Sequence, residues 1–502
     1  MFVELLFLIA IVLLVYQRWT KRHVYRLGKQ LNSGVWTLPL IGHSYLFFGN
    51  NHSEAFQILG GDAIKKANGL SSIWHGNYLY TMIADPEAAQ LVLKMCLEKD
   101  DIMKKASLYI GNGSIFAPVS IWRPRRKVLA PTFNIKNLKR FMSIFVKESA
   151  VLVEKMGKMA GMGKLSAFKY FTAYTMDAIA ESTLGYKMGA QKDTDHPFLK
   201  AFNEGLAKNS ERLCQPWLHS DLVYTNLPVY PRLLKHREFL WNFVTELIKT
   251  KRKEITAKKD TLEHDERKYE QLHAAPFSLI KLSGGDEGYT EEEILEELMV
   301  IMIAGNDTSA VGASFTTMLL SRHPDVQNKV YEELQEVFGD SDRPTTFEDL
   351  SRLKYLDAVI RETLRLYPPV PVITRKVEKD VVLPTGIKLV PGTGVIVNIW
   401  ALHRNPRYWG HDAELFRPER FIDTPLTHPA AFMPFSDGPR NCVGYQYAML
   451  SMKTVLSSVL RRYRILPATA PNNKSEYPPI RLKFDLMMKD EDDFQIQIEP
   501  RC

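Results

Sequence analysis

Ten residues at positions 435–444, FSDGPRNCVG, constrain the fold of this chain more than any other part of its sequence. Gly438 and Gly444 allow tight backbone turns and the close approach of a flat ligand, and Pro439 stiffens the loop between them. Cys442 stands just before the apolar helical run YQYAMLSMKTVLSSVL. Because the N-terminal end of a helix carries partial positive charge, this position favours a thiolate over a thiol.

This loop has the residue types that an iron site needs. A thiolate that accepts backbone N–H bonds is a suitable axial ligand for iron, and Arg440 can offer its guanidinium fork to a carboxylate. A lone cysteine in a turn is more often a buried structural residue, but the fixed offsets of the whole pattern argue against that alternative. The pattern comprises Phe435, Gly438, Arg440, Cys442 and Gly444. The other cysteines lack such a setting and are interpreted as ordinary residues: Cys96, Cys214 and Cys502.

Composition excludes several other classes of protein. Hydrophobic residues make up 45% and charged residues 24% of the chain, which excludes a disordered protein. Four cysteines in 502 residues exclude a disulfide scaffold and agree with a reducing compartment. The net charge of +8 fits an acidic partner or a membrane surface better than nucleic-acid binding, so no nucleic-acid partner is expected.

The N-terminus predicts a membrane anchor. Residues 1–16 read MFVELLFLIAIVLLVY, and 15 of these 16 are apolar. A helix of this length spans about 24 Å, and extension to Trp19 brings it near the roughly 30 Å of a bilayer core. Arg18, Lys21 and Arg22 follow the apolar run, whereas a cleavable signal peptide carries its positive charge before it. We therefore predict an uncleaved single span over residues 1–19, with the rest of the protein on the cytosolic side. A cleaved signal peptide or a buried N-terminal helix is the alternative.

Helical periodicity dominates the rest of the chain. Amphipathic helices are predicted over 141–160, 168–184, 237–259, 291–320 and 326–338. Asp325 is the predicted N-cap of the last of these helices. Strand-like segments come late in the chain, at 379–383, 395–399 and 480–488. The predicted fold class is mainly α with a small β portion.

The cysteine loop resembles the haem-binding signature of the cytochrome P-450 monooxygenases, and further motifs extend the resemblance from residue 36 to near the C-terminus. The resemblance implies the cytochrome P-450 fold and haem b (iron protoporphyrin IX), with Cys442 as the axial ligand of its iron. It also implies a haem-thiolate catalytic domain at 43–502, joined to the anchor by a linker at 20–42. The segments RRKVLAPTF, RLCQPWLHSDLVY and ELMVIMIAGNDTS are most similar to family 4 of the animal microsomal enzymes, of insect type.

Several residues match the family's haem-propionate ligands. Trp122 and Arg126, in IWRPRRKVLAPTF, match its tryptophan–arginine pair, and Arg375, in PVPVITRKV, matches the arginine that follows its Glu–Arg helix. Arg440 is the third arginine, and His403, in IWALHRNP, is a further candidate. Arginine suits this task because its planar fork matches a carboxylate and stays charged.

Two other motifs complete the resemblance to the family. Glu362 and Arg365, in VIRETLRLYPP, are three residues apart and would share one helix face. A surface ion pair of that kind is worth little. With Arg420 of FRPERF, however, the pair matches the family's Glu–Arg–Arg triad, whose role is to brace the cysteine loop. Asp307 and Thr308, in AGNDTS, match its oxygen-activation groove, where they would serve proton delivery. The alternative is a polar kink without chemistry.

The same motif also departs from family 4. Many members have a glutamate, which can form an ester to the haem, where this chain has Ala304. We therefore predict haem held by the thiolate and non-covalent contacts only. Asn306 and Ser309 replace a frequent histidine and a frequent threonine, which puts fatty-acid ω-hydroxylation in doubt.

The resemblance implies a monooxygenase that inserts one atom of O2 into a lipophilic substrate: a fatty acid, hormone, terpenoid or xenobiotic. Electrons would come from NADPH through NADPH–cytochrome reductase, with cytochrome b5 as a further candidate donor, at the cytosolic face of the endoplasmic reticulum membrane. A haem-thiolate isomerase or dehydratase and a non-catalytic haem- or ligand-binding protein are the alternatives. The loops at 107–118 and 206–228 would line the substrate pocket, but their residues do not identify the substrate.

Overall fold

A computed structural model describes residues 2–49, 51–193, 195–261, 289–423, 425–471 and 477–501. The chain divides into two compact units. The smaller unit contains Met1–Asp101, Val372–Ala413 and Thr427–Asn441. The larger unit contains Ile102–Pro371, Glu414–Leu426 and Cys442–Cys502.

Helices make up most of the described chain, which confirms the mainly α prediction. Their bounds are Phe2–Thr20, Arg22–Leu31, His52–Lys65, Pro86–Met95, Val119–Leu129, Ile135–Gly157, Ala167–Leu184, Pro197–Cys214, Asp221–Tyr224, Val229–Thr261, Glu291–Arg322, Pro324–Phe338, Phe347–Arg352, Lys354–Leu366, Ile399–Leu402, Pro406–Trp409 and Tyr445–Arg462. The strands are β1 Leu70–His75, β2 Tyr78–Ile83, β3 Leu165–Ser166, β4 Val372–Lys376, β5 Val381–Val382, β6 Lys388–Leu389, β7 Gly394–Asn398, β8 Tyr463–Pro467, β9 Leu482–Asp485, β10 Met487–Asp490 and β11 Gln495–Pro500.

The smaller unit is built on a four-stranded sheet of order β1-β2-β7-β4. β2 and β7 run parallel with Tyr80 opposite Gly394, and the other neighbours are antiparallel. A Cβ at Gly394 would lie 2.4 Å from the Tyr80 ring, so this register needs glycine. Of these four strands, the sequence predicts only β7. The predicted bounds, 395–399, differ by one residue from the observed Gly394–Asn398.

The predicted linker at 20–42 is partly helical. The helix Arg22–Leu31 buries Val24, Leu27 and Leu31, and a Cβ at Gly28 would lie 2.8 Å from the Trp74 ring. The helix is thus packed within the smaller unit.

The larger unit is organised around the long helix Glu291–Arg322, hereafter the central helix. It begins with a capping box, in which Thr290 and Glu293 exchange side-chain and backbone hydrogen bonds. A Cβ at Gly305 would lie 2.7 Å from Ile179 of the helix Ala167–Leu184, and one at Gly312 would lie 2.9 Å from Met452 Sδ. Small residues therefore let neighbouring helices approach the central helix closely.

One described helix is long and apolar enough to cross a membrane by length and composition, and it is the central helix. Because 83% of its most apolar window is buried inside the protein, this helix belongs to the core. The predicted anchor at 1–19 coincides with the helix Phe2–Thr20.

Two local predictions are wrong. The helix predicted to follow an Asp325 cap begins at Pro324 with His323 as N-cap, since proline is favoured at the first helical position. The strand predicted over 480–488 is the hairpin β9–β10, and its chain reverses at Leu486 with φ of 64°. Leucine in a left-handed conformation gives no turn signal in the sequence.

Candidate active site

Cys442 lies in the turn just before the helix Tyr445–Arg462, whose N-cap is Gly444. Its side chain keeps accessible surface. Desolvation by the protein around the sulfur raises the pKa of the Cys442 thiol in spite of this accessible surface. The Gly444 N–H, which donates to the sulfur, and the Arg126 charge lower it. A bound metal cation would favour the deprotonated form of this cysteine.

Glycine is required in the cysteine loop at Gly438. Its φ is 71°, and an added Cβ would lie 2.5 Å from the carbonyl oxygen of Leu93. The Arg440 Nη1 donates to the carbonyl of Leu97 at 2.9 Å, and Phe435 is half-buried. These contacts fix the loop on the smaller unit before the chain reaches the cysteine.

Three cations share one region of the smaller unit. Arg375 is buried, and no hydrogen-bond acceptor for its Nε is found within the described ranges. Burial lowers the pKa values of Arg375 and Arg440 to about 10, and the Arg440 charge lowers that of Arg375 further. Burial, together with these two arginines, also lowers the pKa of Lys99. An anionic ligand would relieve this repulsion; Lys99 was not predicted, because a lysine among acidic residues has no distinguishing sequence signal.

The predicted tryptophan–arginine pair lies on the helix Val119–Leu129 of the larger unit. Trp122 is buried and Arg126 is half-buried one turn further on. Burial lowers the pKa of Arg126, and the Cys442 thiolate charge would raise it. Arg126 and Cys442 are therefore close enough to interact electrostatically.

His403 is fully buried, and its Nε2 accepts a hydrogen bond from the Met433 N–H at 2.9 Å. Its ring stacks on Phe432 with centroids 5.4 Å apart. These contacts connect it to the segment that precedes the cysteine loop and give it a structural role.

The structure brings Glu362, Arg365 and Arg420 together. Arg365 donates to both Glu362 oxygens at 2.7 and 2.8 Å, and Arg420 Nε donates at 3.1 Å. The Arg417 backbone N–H donates to the same carboxylate at 2.9 Å. Glu362 and Arg365 are completely buried, so this is not the weak surface pair that their spacing alone would suggest.

Ala304, Gly305 and Thr308 form an accessible stripe on the central helix, which is otherwise buried from Ile294 to Ser321. The Thr308 hydroxyl donates to the Ala304 carbonyl at 2.6 Å, and the helix continues across this turn. Other hydroxyls on this helix make the same bond while fully buried. Thr308 differs from these residues because it is only half-buried and lies on the accessible stripe.

Asp307, on the same turn, is fully buried, and the Nζ of Lys489 in β10 lies 2.9 Å from its Oδ1. Burial raises the pKa of Asp307, while the charge and hydrogen bond of Lys489 lower it. The sequence missed Lys489, because nothing in a strand pattern indicates which distant acid a lysine will meet.

The chain is similar to known proteins over most of its length. The family model "Cytochrome P450" matches residues 37–491. The chain is 34% identical to human "Cytochrome P450 4V2" over 85% of this chain and 82% of the relative. It is 31% identical to "Cytochrome P450 4d2" of Drosophila melanogaster over 100% and 99%. It is 30% identical to "Cytochrome P450 4c21" of Blattella germanica over 86% and 87%.

The fold and these matches define a haem-dependent monooxygenase, an oxidoreductase. The chain belongs to the cytochrome P450 family, and its relatives include insect and vertebrate members of family 4. The predicted family and haem b cofactor are confirmed. The residues fit that cofactor: a cysteine with accessible surface precedes a helix, and the buried Arg375 has a nitrogen without an acceptor within the described ranges.

Proposed function

We propose that this enzyme inserts one oxygen atom of O2 into a lipophilic substrate (a fatty acid, hormone, terpenoid or xenobiotic), with electrons that NADPH supplies through NADPH–cytochrome reductase. The observation that carries this proposal is the accessible stripe of Ala304, Gly305 and Thr308 beside the buried Asp307. A small polar site next to an acid on a rigid helix suits controlled proton delivery.

Five residues would hold the haem. The Cys442 sulfur would ligate the iron, and the side chains of the remaining four would hold the propionates: Trp122, Arg126, Arg375 and Arg440. Gly438 and Gly444 would let the haem approach the backbone of the cysteine loop closely, and Phe435 would pack at the start of that loop. When bound, the thiolate-ligated haem iron activates dioxygen.

Thr308 and Asp307 would divide the proton chemistry between them. The Thr308 hydroxyl, now donating to Ala304, can hold a water at the stripe through its free lone pairs. The Asp307 carboxylate would take up a proton and pass it to that water. The reaction consumes the substrate, O2, NADPH and one proton, and it yields the hydroxylated product, water and NADP+.

The triad would act structurally. Glu362 neutralises Arg365 and Arg420 at distances of 2.7–3.1 Å. Because a buried carboxylate with fixed donors holds its surroundings rigidly, we assign this triad the bracing of the cysteine loop.

The first helix supports anchoring in the membrane of the endoplasmic reticulum. Its exposed face carries large apolar side chains at exposed fractions of 54–64%: Leu5, Leu8, Val12, Val15 and Trp19. The catalytic domain would face the cytosol, with the reductase and cytochrome b5 as electron donors. The net charge of +8 complements an acidic donor.

The test is reconstitution of the full chain with reductase, NADPH and lipid vesicles. A binding-spectrum screen of fatty acids, terpenoids, steroids and insecticides selects the substrates. NADPH-dependent uptake of O2 with a hydroxylated product supports the proposal. Conversion of an organic peroxide without NADPH or O2 would instead indicate an isomerase or dehydratase, and haem binding without any turnover would indicate a carrier.

A further inference from the structure

The ion pair between Lys489 and Asp307 lies entirely inside the larger unit. Lys489 Nζ is 2.9 Å from Asp307 Oδ1, and the two side chains are 7% and 0% exposed. No hydrogen-bond donor within the described ranges reaches the other oxygen of Asp307, Oδ2. The carboxylate thus has one oxygen paired with a cation and one oxygen without a donor among the described residues, and both oxygens are buried.

The backbone holds Lys489 in place. The β9–β10 hairpin reverses at Leu486, and the Met488 N–H donates to the Pro369 carbonyl at 2.9 Å. The Phe494 N–H donates to the side chain of Asp490, the next residue, at 2.8 Å. Lys489 Nζ also lies 4.7 Å from the centre of the Phe168 ring, a cation–π contact. The lysine is therefore presented to Asp307 by a fixed strand.

Charge explains why this lysine matters to Asp307. Burial raises the pKa of Asp307, and the negative charge of Asp485 raises it further. Lys489 is the group that opposes both effects. Without it, a fully buried carboxylic acid would keep its proton, since desolvation disfavours the charged form.

We propose that Lys489 is a positioning residue for proton delivery: it keeps Asp307 ionised and fixes Oδ1, so that Oδ2 takes up and releases the proton. The cycle moves a proton from water to Oδ2 and on toward Thr308, and no electron is transferred. This inference rests on the proposed role of Asp307 in the reaction.

The experiment compares the Lys489→Met, Lys489→Arg and Asp307→Asn variants as full-length holoenzymes. The matched control is Lys483→Met, because Lys483 lies opposite Lys489 in the hairpin register but is 38% exposed. Each protein is first checked for the carbon monoxide spectrum of its reduced form. Infrared spectroscopy then detects the carbonyl stretch of a protonated carboxyl group in the resting protein, a readout that needs no turnover.

The second readout is the fate of O2 with reductase and NADPH and no added substrate. Reduction to hydrogen peroxide uses one NADPH per O2, and reduction to water uses two NADPH and two protons. Loss of proton delivery raises the fraction of O2 that is reduced to hydrogen peroxide instead of water. We expect Lys489→Met to lower the ratio of water to peroxide about tenfold and to raise the solvent deuterium isotope effect, while Lys489→Arg and Lys483→Met stay near wild type.

The infrared result identifies the residue concerned. A protonated carboxyl band should appear in Lys489→Met and vanish in the Lys489→Met, Asp307→Asn double variant. If Lys489→Met does not fold, the double variant should fold, because it removes the buried carboxyl group that has lost its cation. Lys489→Gln then replaces the single variant.

The outcomes separate the two proposals. If Asp307→Asn changes the ratio of water to peroxide but Lys489→Met changes neither the ratio nor the carboxyl band, the inference about Lys489 is overturned. If Asp307→Asn itself leaves the ratio and the isotope effect unchanged, the proposed role of Asp307 fails.

Discussion

Arg365 donates to both oxygens of Glu362, at 2.7 and 2.8 Å, and neither side chain has any exposed surface. Both residues lie on the helix Lys354–Leu366, three positions apart. Their guanidinium and carboxylate meet in the fork-to-fork geometry that makes an ion pair strong. Because Arg420 joins the same carboxylate, Glu362 balances two buried cations.

Glu362→Gln should destabilise the protein by about 3–5 kcal/mol, because it leaves two buried arginines without their counter-charge. Urea unfolding followed by circular dichroism measures the loss. Arg361→Gln, on the same helix, is the control: its partner Asp357 is 26% exposed and is also contacted by Lys453. The control should cost less than about 1 kcal/mol. Equal losses in the two variants would contradict this account of the triad.

The sequence predicts the large helices well, because each is a long, apolar-rich run without proline, and that length favours a helix over a strand. The helix predicted at 168–184 is observed at Ala167–Leu184, and the one predicted at 291–320 at Glu291–Arg322. The strands were harder to predict. β1 and β2 are buried on most of their residues, so neither has the alternation that identifies a half-buried strand.

The candidate site, too, could be predicted only in part from the sequence. The residues carried by contiguous motifs were predicted, and the structure places Glu362, Arg365 and Arg420 in contact. Lys489 was not predicted, because its contact with Asp307 depends on the register of a hairpin that the sequence presents as one strand. The accessible stripe around Thr308 could not be predicted from the sequence either, because the elements packed around a buried helix determine which of its residues stay exposed.

Cys442→Ser should abolish the red-shifted absorption band of the reduced carbon monoxide complex. A serine oxygen is a poor donor to iron compared with a thiolate, and Cys442 is the proposed axial ligand. Cys214→Ser is the matched control, because Cys214 is buried and burial raises the pKa of its thiol. Survival of the shifted band in Cys442→Ser would refute the assignment of the ligand.

Gly438→Ala should prevent normal haem incorporation. Its backbone is left-handed, and a methyl group would meet the Leu93 carbonyl at 2.5 Å. Gly392→Ala is the matched control, since its φ of 81° is equally unfavourable but its methyl group would meet nothing within 4 Å. The control should lose only about 1–2 kcal/mol to backbone strain. Haem content after expression, from the ratio of haem to protein absorbance, should separate the two variants.

Thr308→Val should raise the share of O2 that is released as hydrogen peroxide. Valine has the shape of threonine but cannot hold a water at the stripe, so proton delivery slows while the helix stays intact. Thr316→Val removes a similar bond, from Thr316 to the Gly312 carbonyl at 2.8 Å, at a fully buried position. Peroxide yield per NADPH should rise several-fold for Thr308→Val and stay at the wild-type value for Thr316→Val. Equal peroxide yields in the two variants would mean that the Thr308 hydroxyl only forms its hydrogen bond within the helix and has no part in proton delivery.

Ala304 explains why the haem should be removable. Its side chain is a methyl group on the accessible stripe, and a methyl group cannot form an ester. Wild-type haem should therefore pass entirely into acidified organic solvent when the protein is denatured. Ala304→Glu places a carboxylate at the position where many family 4 members have one, and after turnover with NADPH and reductase part of the haem should stay with the chain. Ala304→Gln has the same size without the carboxylate and should release all its haem, so retention in that variant, or in the wild type, would contradict non-covalent binding.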